Sequence, residues 1–112
     1  MKSPITTHVL DTSLGKPAAG VAAKLDRLVD GKAETIGSGV TNADGRIGDL
    51  LEGPINTGRY RLTFDTASYF AERGLKGFFP EVIIVFEIAD ATQHHHVPLL
   101  LSPFGYSTYR GS

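Results

Sequence analysis

The segment His94-His95-His96-Val97-Pro98-Leu99-Leu100-Leu101 gathers three of the chain's four histidines at the head of an apolar run. Imidazole is the side chain whose ordinary pKa, about 6.5, lets it take or give a proton near neutrality. Read as a strand, the segment puts His94, His96, Pro98 and Leu100 on one face and His95, Val97, Leu99 and Leu101 on the other. The second set is mostly apolar and is expected to face the core. The first set admits three arrangements: a solvated strand with incidental histidines, a cleft or subunit contact, or a metal pair at His94 and His96. Two histidines without a third nearby ligand are weak evidence for a zinc site. The chain has no cysteine, which excludes disulfides and thiolate ligation.

Three other places carry reactive groups. His8 follows Thr6-Thr7 in a β-branched stretch, and Arg46 follows the turn Asp44-Gly45. Alone, a strand histidine is more often structural than catalytic, and a loop arginine is usually solvated. The C-terminal run Tyr106-Ser107-Thr108-Tyr109-Arg110-Gly111-Ser112 is unusual, because chain ends fray and are commonly polar. Two tyrosines and an arginine there suit either an ordered edge strand with a short tail or a tail tied into a pocket.

The elements that must position these groups read as short strands between turns. Thr6–Asp11 is β-branched and apolar and is expected to end at Leu14-Gly15-Lys16-Pro17. Gly20–Leu28 and Glu34–Thr41 flank Asp30-Gly31, a hairpin signal. In Arg59–Asp65, Tyr60, Leu62 and Phe64 alternate with Arg59, Arg61 and Thr63. Thr66–Arg73 breaks that period and predicts one short helix, with Thr66 as N-cap and Gly74 as stop. Glu81–Ile88 is apolar enough to predict a buried strand, followed by His94–Ser102 and Gly105–Tyr109. Short strands, one helix and frequent turns predict an all-β sandwich, and 112 residues suit a single domain spanning 1–112.

Composition narrows the partners. Eleven Lys+Arg against twelve Asp+Glu leave a formal charge of −1 and no basic stripe, which argues against nucleic acid. No apolar run reaches membrane-spanning length. The start Met1-Lys2-Ser3-Pro4-Ile5-Thr6-Thr7-His8 lacks the apolar stretch of a signal peptide, so the expected location is cytoplasmic.

Taken together and in order, four segments resemble the signatures of the 5-hydroxyisourate hydrolases. They are His8-Val9-Leu10-Asp11, Asp44-Gly45-Arg46, His96-Val97-Pro98-Leu99-Leu100-Leu101-Ser102-Pro103 and Tyr109-Arg110-Gly111-Ser112, with Phe79-Pro80-Glu81 also fitting. The resemblance implies a transthyretin-like (prealbumin-like) β-sandwich of two four-stranded antiparallel sheets with one short helix. It also implies a homotetramer whose central channel holds the active sites.

The implied reaction is hydrolysis of 5-hydroxyisourate to 2-oxo-4-hydroxy-4-carboxy-5-ureidoimidazoline in urate breakdown. It requires a base for water and stabilisation of a developing oxyanion. By resemblance His8, His96 and Ser112 are catalytic, with Arg46 and Tyr109 joining them in substrate binding. Which histidine is the base stays open. No metal or other cofactor enters this scheme. His95 stands where many members have tyrosine. The rival is a carrier of thyroid hormone on the same fold. By resemblance, the carrier has lysine where His8 stands and lacks the Tyr109–Ser112 ending.

Overall fold

The computed structural model describes residues 3–112; Met1 and Lys2 of the N-terminal segment read above lie outside the described residues. The chain runs β1 (Ile5–Asp11), β2 (Lys16–Pro17), β3 (Ala22–Val29), β4 (Lys32–Val40), β5 (Arg46–Ile47), β6 (Gly58–Phe64), α1 (Thr66–Glu72), β7 (Val82–Ile88), β8 (His95–Ser102) and β9 (Gly105–Thr108). Two sheets face each other. One has the order β2-β1-β8-β9, with β5 also paired to β1; the other is β4-β3-β6-β7.

Two features depart from the all-antiparallel expectation. β1 and β8 are parallel, with Thr6 opposite His96 and His8 opposite Pro98. The outer position beside β1 is shared by two short strands, β5 against Thr7-His8 and β2 against Leu10-Asp11. Lys16-Pro17, expected only to end the first strand, is itself that returning strand. Neither two-residue strand has a periodicity of its own, because each is held by the strand it pairs with rather than by a buried face.

The alternation predicted for the central strands is the one observed. Ile5, Val9, Leu25, Tyr60, Leu62, Phe64, Leu99 and Leu101 meet between the sheets as a dry core. On the other face of the β3–β6 pair Asp26 is also buried, held by Arg61 at 2.8 Å and by the Thr35 hydroxyl at 2.8 Å. These donors outweigh burial, which alone would raise its pKa, and hold the carboxyl below its ordinary value. The buried-strand expectation for Glu81–Ile88 is corrected: the strand is Val82–Ile88 and is buried on one face only. β7 is an edge strand, and its Ile83 and Val85 are exposed on the outer face.

The helix starts one residue earlier than its expected cap. Asp65, not Thr66, is the N-cap, and its carboxylate accepts from the Ser68 N–H at 3.1 Å. Thr66 is the first helical residue, and its hydroxyl donates to the Phe79 carbonyl at 2.6 Å. Among the described residues no helix is long and apolar enough to cross a membrane.

Candidate active site

β8 sets out the histidines as the alternation predicts. His95 is buried towards the core side, with Nδ1 3.0 Å from the Gln93 carbonyl oxygen. His96 lies half-buried on the opposite face. The parallel partner β1 presents Thr6 and His8 on that same face, because its Ile5, Thr7 and Val9 point inward. The Thr7 hydroxyl fixes this phase from below by donating to the Val97 carbonyl at 2.6 Å.

Arg46 arrives from the third side. Its loop turns at Gly45, whose φ of +74° and contact with the Val9 carbonyl leave no room for a side chain. The Val9 N–H donates to the Gly45 carbonyl at 2.7 Å, and the Asn42 side chain accepts from the Asp44 and Arg46 N–H groups. The loop therefore delivers Arg46 opposite His8 in the β1–β5 register.

The tail closes the fourth side. β9 pairs with β8 through Leu99 and Thr108; three residues further along each strand, His96 pairs with Gly111. The register is thus continuous across Pro98, which supplies no N–H, and the Thr108 hydroxyl donates to the Pro98 carbonyl at 2.7 Å. The Gly111 N–H donates to the His96 carbonyl at 2.8 Å. A Cβ on Gly111 would come within 2.5 Å of His96 Cδ2 and 3.2 Å of Pro98 Cγ. Only glycine lets the tail lie this close to the imidazole.

Arg46, His96 and Ser112 share a cavity of about 250 Å³, completed by Thr6, Thr7, Ile47, Gly48 and His94. The His8 ring centre lies 6.4 Å from that of His96, beside the cavity rather than in its lining. Tyr109 is set apart. It is 58% exposed and lines a neighbouring cavity bounded by Ile84–Glu87. A larger hollow, about 460 Å³, lies on the other sheet around Ala23, Ser38 and Phe64 and contains no histidine. Size does not mark the site here; the grouping of the His96 imidazole, the Arg46 guanidinium and Ser112 does.

Both site histidines are held below the ordinary imidazole value of 6.5. For His96 the causes are burial first, then the positive charge of Arg46 and the neighbouring His94 and His8, against an opposing Thr6 backbone contact. For His8 they are burial, then Arg46, opposed by the Asp44 backbone and carboxylate. A neutral imidazole at pH 7 is a proton acceptor, so the site is poised for base chemistry next to a fixed cation. Among the described residues no three His, Cys, Asp or Glu side chains cluster closely enough to hold a metal ion.

The model of the HIUase/Transthyretin family matches residues 5–111. The chain belongs to this family. It is 50% identical to the mouse 5-hydroxyisourate hydrolase over 113 residues, covering 98% of this chain and 96% of that one. Among solved structures it is similar to the Klebsiella pneumoniae 5-hydroxyisourate hydrolase, at TM-score 0.86 and 44% identity with full coverage of both chains. It is also similar to sea bream transthyretin in complex with thyroxine, at TM-score 0.89 and 35% identity, covering 97% and 95%.

Thr6 is a cavity residue that sequence reasoning passed over, and His94, weighed there only as half of a metal pair, lines the same cavity. The Thr6 hydroxyl oxygen lies 2.7 Å from His96 Nδ1 and 3.0 Å from His94 Nε2. The available signal was spacing, since Thr6 shares the face of His8 two residues away. The shifts themselves make a prediction. In an NMR titration His8 and His96 change protonation below 6.5, and Arg46→Ala moves both midpoints upward by removing a nearby positive charge. Midpoints at or above 6.5 in the intact protein would contradict this electrostatic reading.

Proposed function

We propose that the chain hydrolyses 5-hydroxyisourate, with the chemistry at the cavity of Arg46, His96 and Ser112. The observation that carries this reading is the convergence of the His96 imidazole, the Arg46 guanidinium and Ser112 on one small hollow. His96 takes the proton of the attacking water, because its ring lines the cavity while that of His8 stands beside it. His8 acts from the rim, together with Arg46, on the water and substrate. Arg46 donates to the carbonyl oxygen as it becomes anionic, or to the anionic form of the substrate. Ser112 orients the substrate through its hydroxyl. Tyr109 joins substrate binding only if assembly brings it to the channel.

A thyroxine carrier on this fold is the competing reading. A hormone channel has little use for titratable side chains, whereas this cavity presents two histidines and an arginine. The titratable side chains among its lining support hydrolysis.

The direct test is the decay of freshly made 5-hydroxyisourate with and without the protein. Acceleration is expected, and it falls as pH drops through the lowered histidine midpoints, because protonated imidazole cannot accept a proton. His96→Asn removes most activity and leaves the melting temperature nearly unchanged, while His95→Tyr keeps activity. The opposite pattern would mean that His95, not His96, serves the site.

Deleting Ser112 lowers turnover by on the order of a hundredfold, the usual cost of losing a positioned hydrogen-bonding group in an active site. It moves the melting temperature little, because Ser112 is exposed and adds no apolar burial. A truncated protein running at full rate would remove Ser112 from the site.

We also propose a homotetramer located in the cytoplasm. The face bearing His94, His96 and Leu100 is open in a single chain, and Phe104 and Tyr106 of the adjoining turn and strand are exposed. Light scattering should give four times the chain mass, and a monomer at working concentration would contradict the assembly.

A further inference from the structure

One threonine hydroxyl lies between two imidazoles. Thr6 Oγ1 is 2.7 Å from His96 Nδ1 and 3.0 Å from His94 Nε2, and the two rings are stacked at 6.3 Å with an interplanar angle of 22°. A hydroxyl carries one proton, so it donates to one ring and must accept from the other. It therefore couples the tautomers: if Thr6 donates to His94 Nε2, His96 must present Nδ1–H, and the lone pair of His96 sits on Nε2. The two rings differ in environment. His96 is half-buried in the cavity with Arg46, whereas His94 is exposed.

We propose that Thr6 is a positioning and relay residue for the hydrolase reaction, fixing His96 with a bare Nε2 and passing its proton on to His94. The inference rests on the hydrolase reading of the site. In the step, the water proton bonds to His96 Nε2 while the hydroxide adds to the substrate carbonyl. The Nδ1–H bond of His96 breaks and gives its proton to Thr6 Oγ1. The original Thr6 hydroxyl proton passes to His94 Nε2, leaving His94 as the imidazolium. His94 exchanges its Nδ1 proton with solvent, and the same path in reverse returns a proton to the departing ring nitrogen. No oxidant, metal or further reactant is required.

The relay places charge where it is best tolerated. The groups around His96 are Arg46 from β5, His8 and Thr6 from β1, His94 from its own segment and the Ser112 terminus from the tail. Burial and Arg46 both disfavour an imidazolium at His96. At His94 solvent can hydrate the same charge. Without Thr6, the proton taken from water stays on His96 through the reaction.

The test uses the intact protein with Thr6→Val, Thr6→Ser and His94→Ala. Valine keeps the β-branched shape a strand favours and removes only the hydroxyl. In ¹⁵N spectra of the wild type, His96 should show a protonated Nδ1 and a bare Nε2. Thr6→Val should populate the other tautomer, and Thr6→Ser should restore the first. Turnover should fall about tenfold in Thr6→Val, with KM unchanged, as expected when a proton-transfer partner is misaligned, and recover in Thr6→Ser. His94→Ala should slow turnover similarly, and added imidazole should restore it by replacing the lost acceptor. A wild-type tautomer in Thr6→Val, or a full rate in Thr6→Val or His94→Ala, overturns the relay. A wild-type protein that leaves 5-hydroxyisourate untouched overturns the hydrolase reading instead, and the tautomer comparison still decides the role of Thr6.

Discussion

The parallel pairing of β1 with β8 is the constraint on which the site depends. Its register places Thr6 beside His96 and His8 beside Pro98, so two strands far apart in sequence present their polar residues on one face. A slip of one residue in either strand would turn that strand's set into the core. The slip is opposed from beneath by Val9, Val97 and Leu99 in the dry interior and by the Thr7–Val97 hydrogen bond. The same apolar packing that stabilises the sandwich therefore fixes the direction of the imidazoles above it.

Arg46 and the tail are added to that pair by backbone geometry more than by side-chain contact. The turn at Gly45 brings Arg46 to the edge of β1, and β9 carries the tail along β8 in unbroken register. Gly111 has no need of a left-handed backbone; its requirement is space, because the His96 ring occupies the volume a side chain would fill. Electrostatics follow from this crowding. Burial first, and the nearby guanidinium second, hold both imidazoles below their ordinary pKa, which suits a base and leaves the cation for an oxyanion.

Much of this was legible in the sequence. The alternation of Tyr60, Leu62 and Phe64 and of Val97, Leu99 and Leu101 gave the core faces, because a residue's side of a strand follows from parity alone. The order of four short segments indicated the family. The parallel β1–β8 pairing was not legible, since strand direction within a sheet leaves no mark on alternation. Nor was β5, whose two residues pair only because Gly45 turns the chain against Val9. Glu81–Ile88 read as buried because its run is apolar; at a sheet edge half of that run faces outward. Asp65 was missed as a cap because it also ends the alternating strand. Thr6 was missed because a hydroxyl's role depends on two rings that sequence places 88 and 90 residues away.

The central claim is that the tail, seated in register on β8, holds His96 in its working position. Gly111→Ala tests it most directly, because the change adds one methyl group against the ring and demands no unusual backbone. The account predicts a fall in kcat for 5-hydroxyisourate of on the order of a hundredfold, the scale expected for an ångström-sized misplacement of a reacting group, with a melting temperature close to that of the parent. Full activity in Gly111→Ala would contradict it.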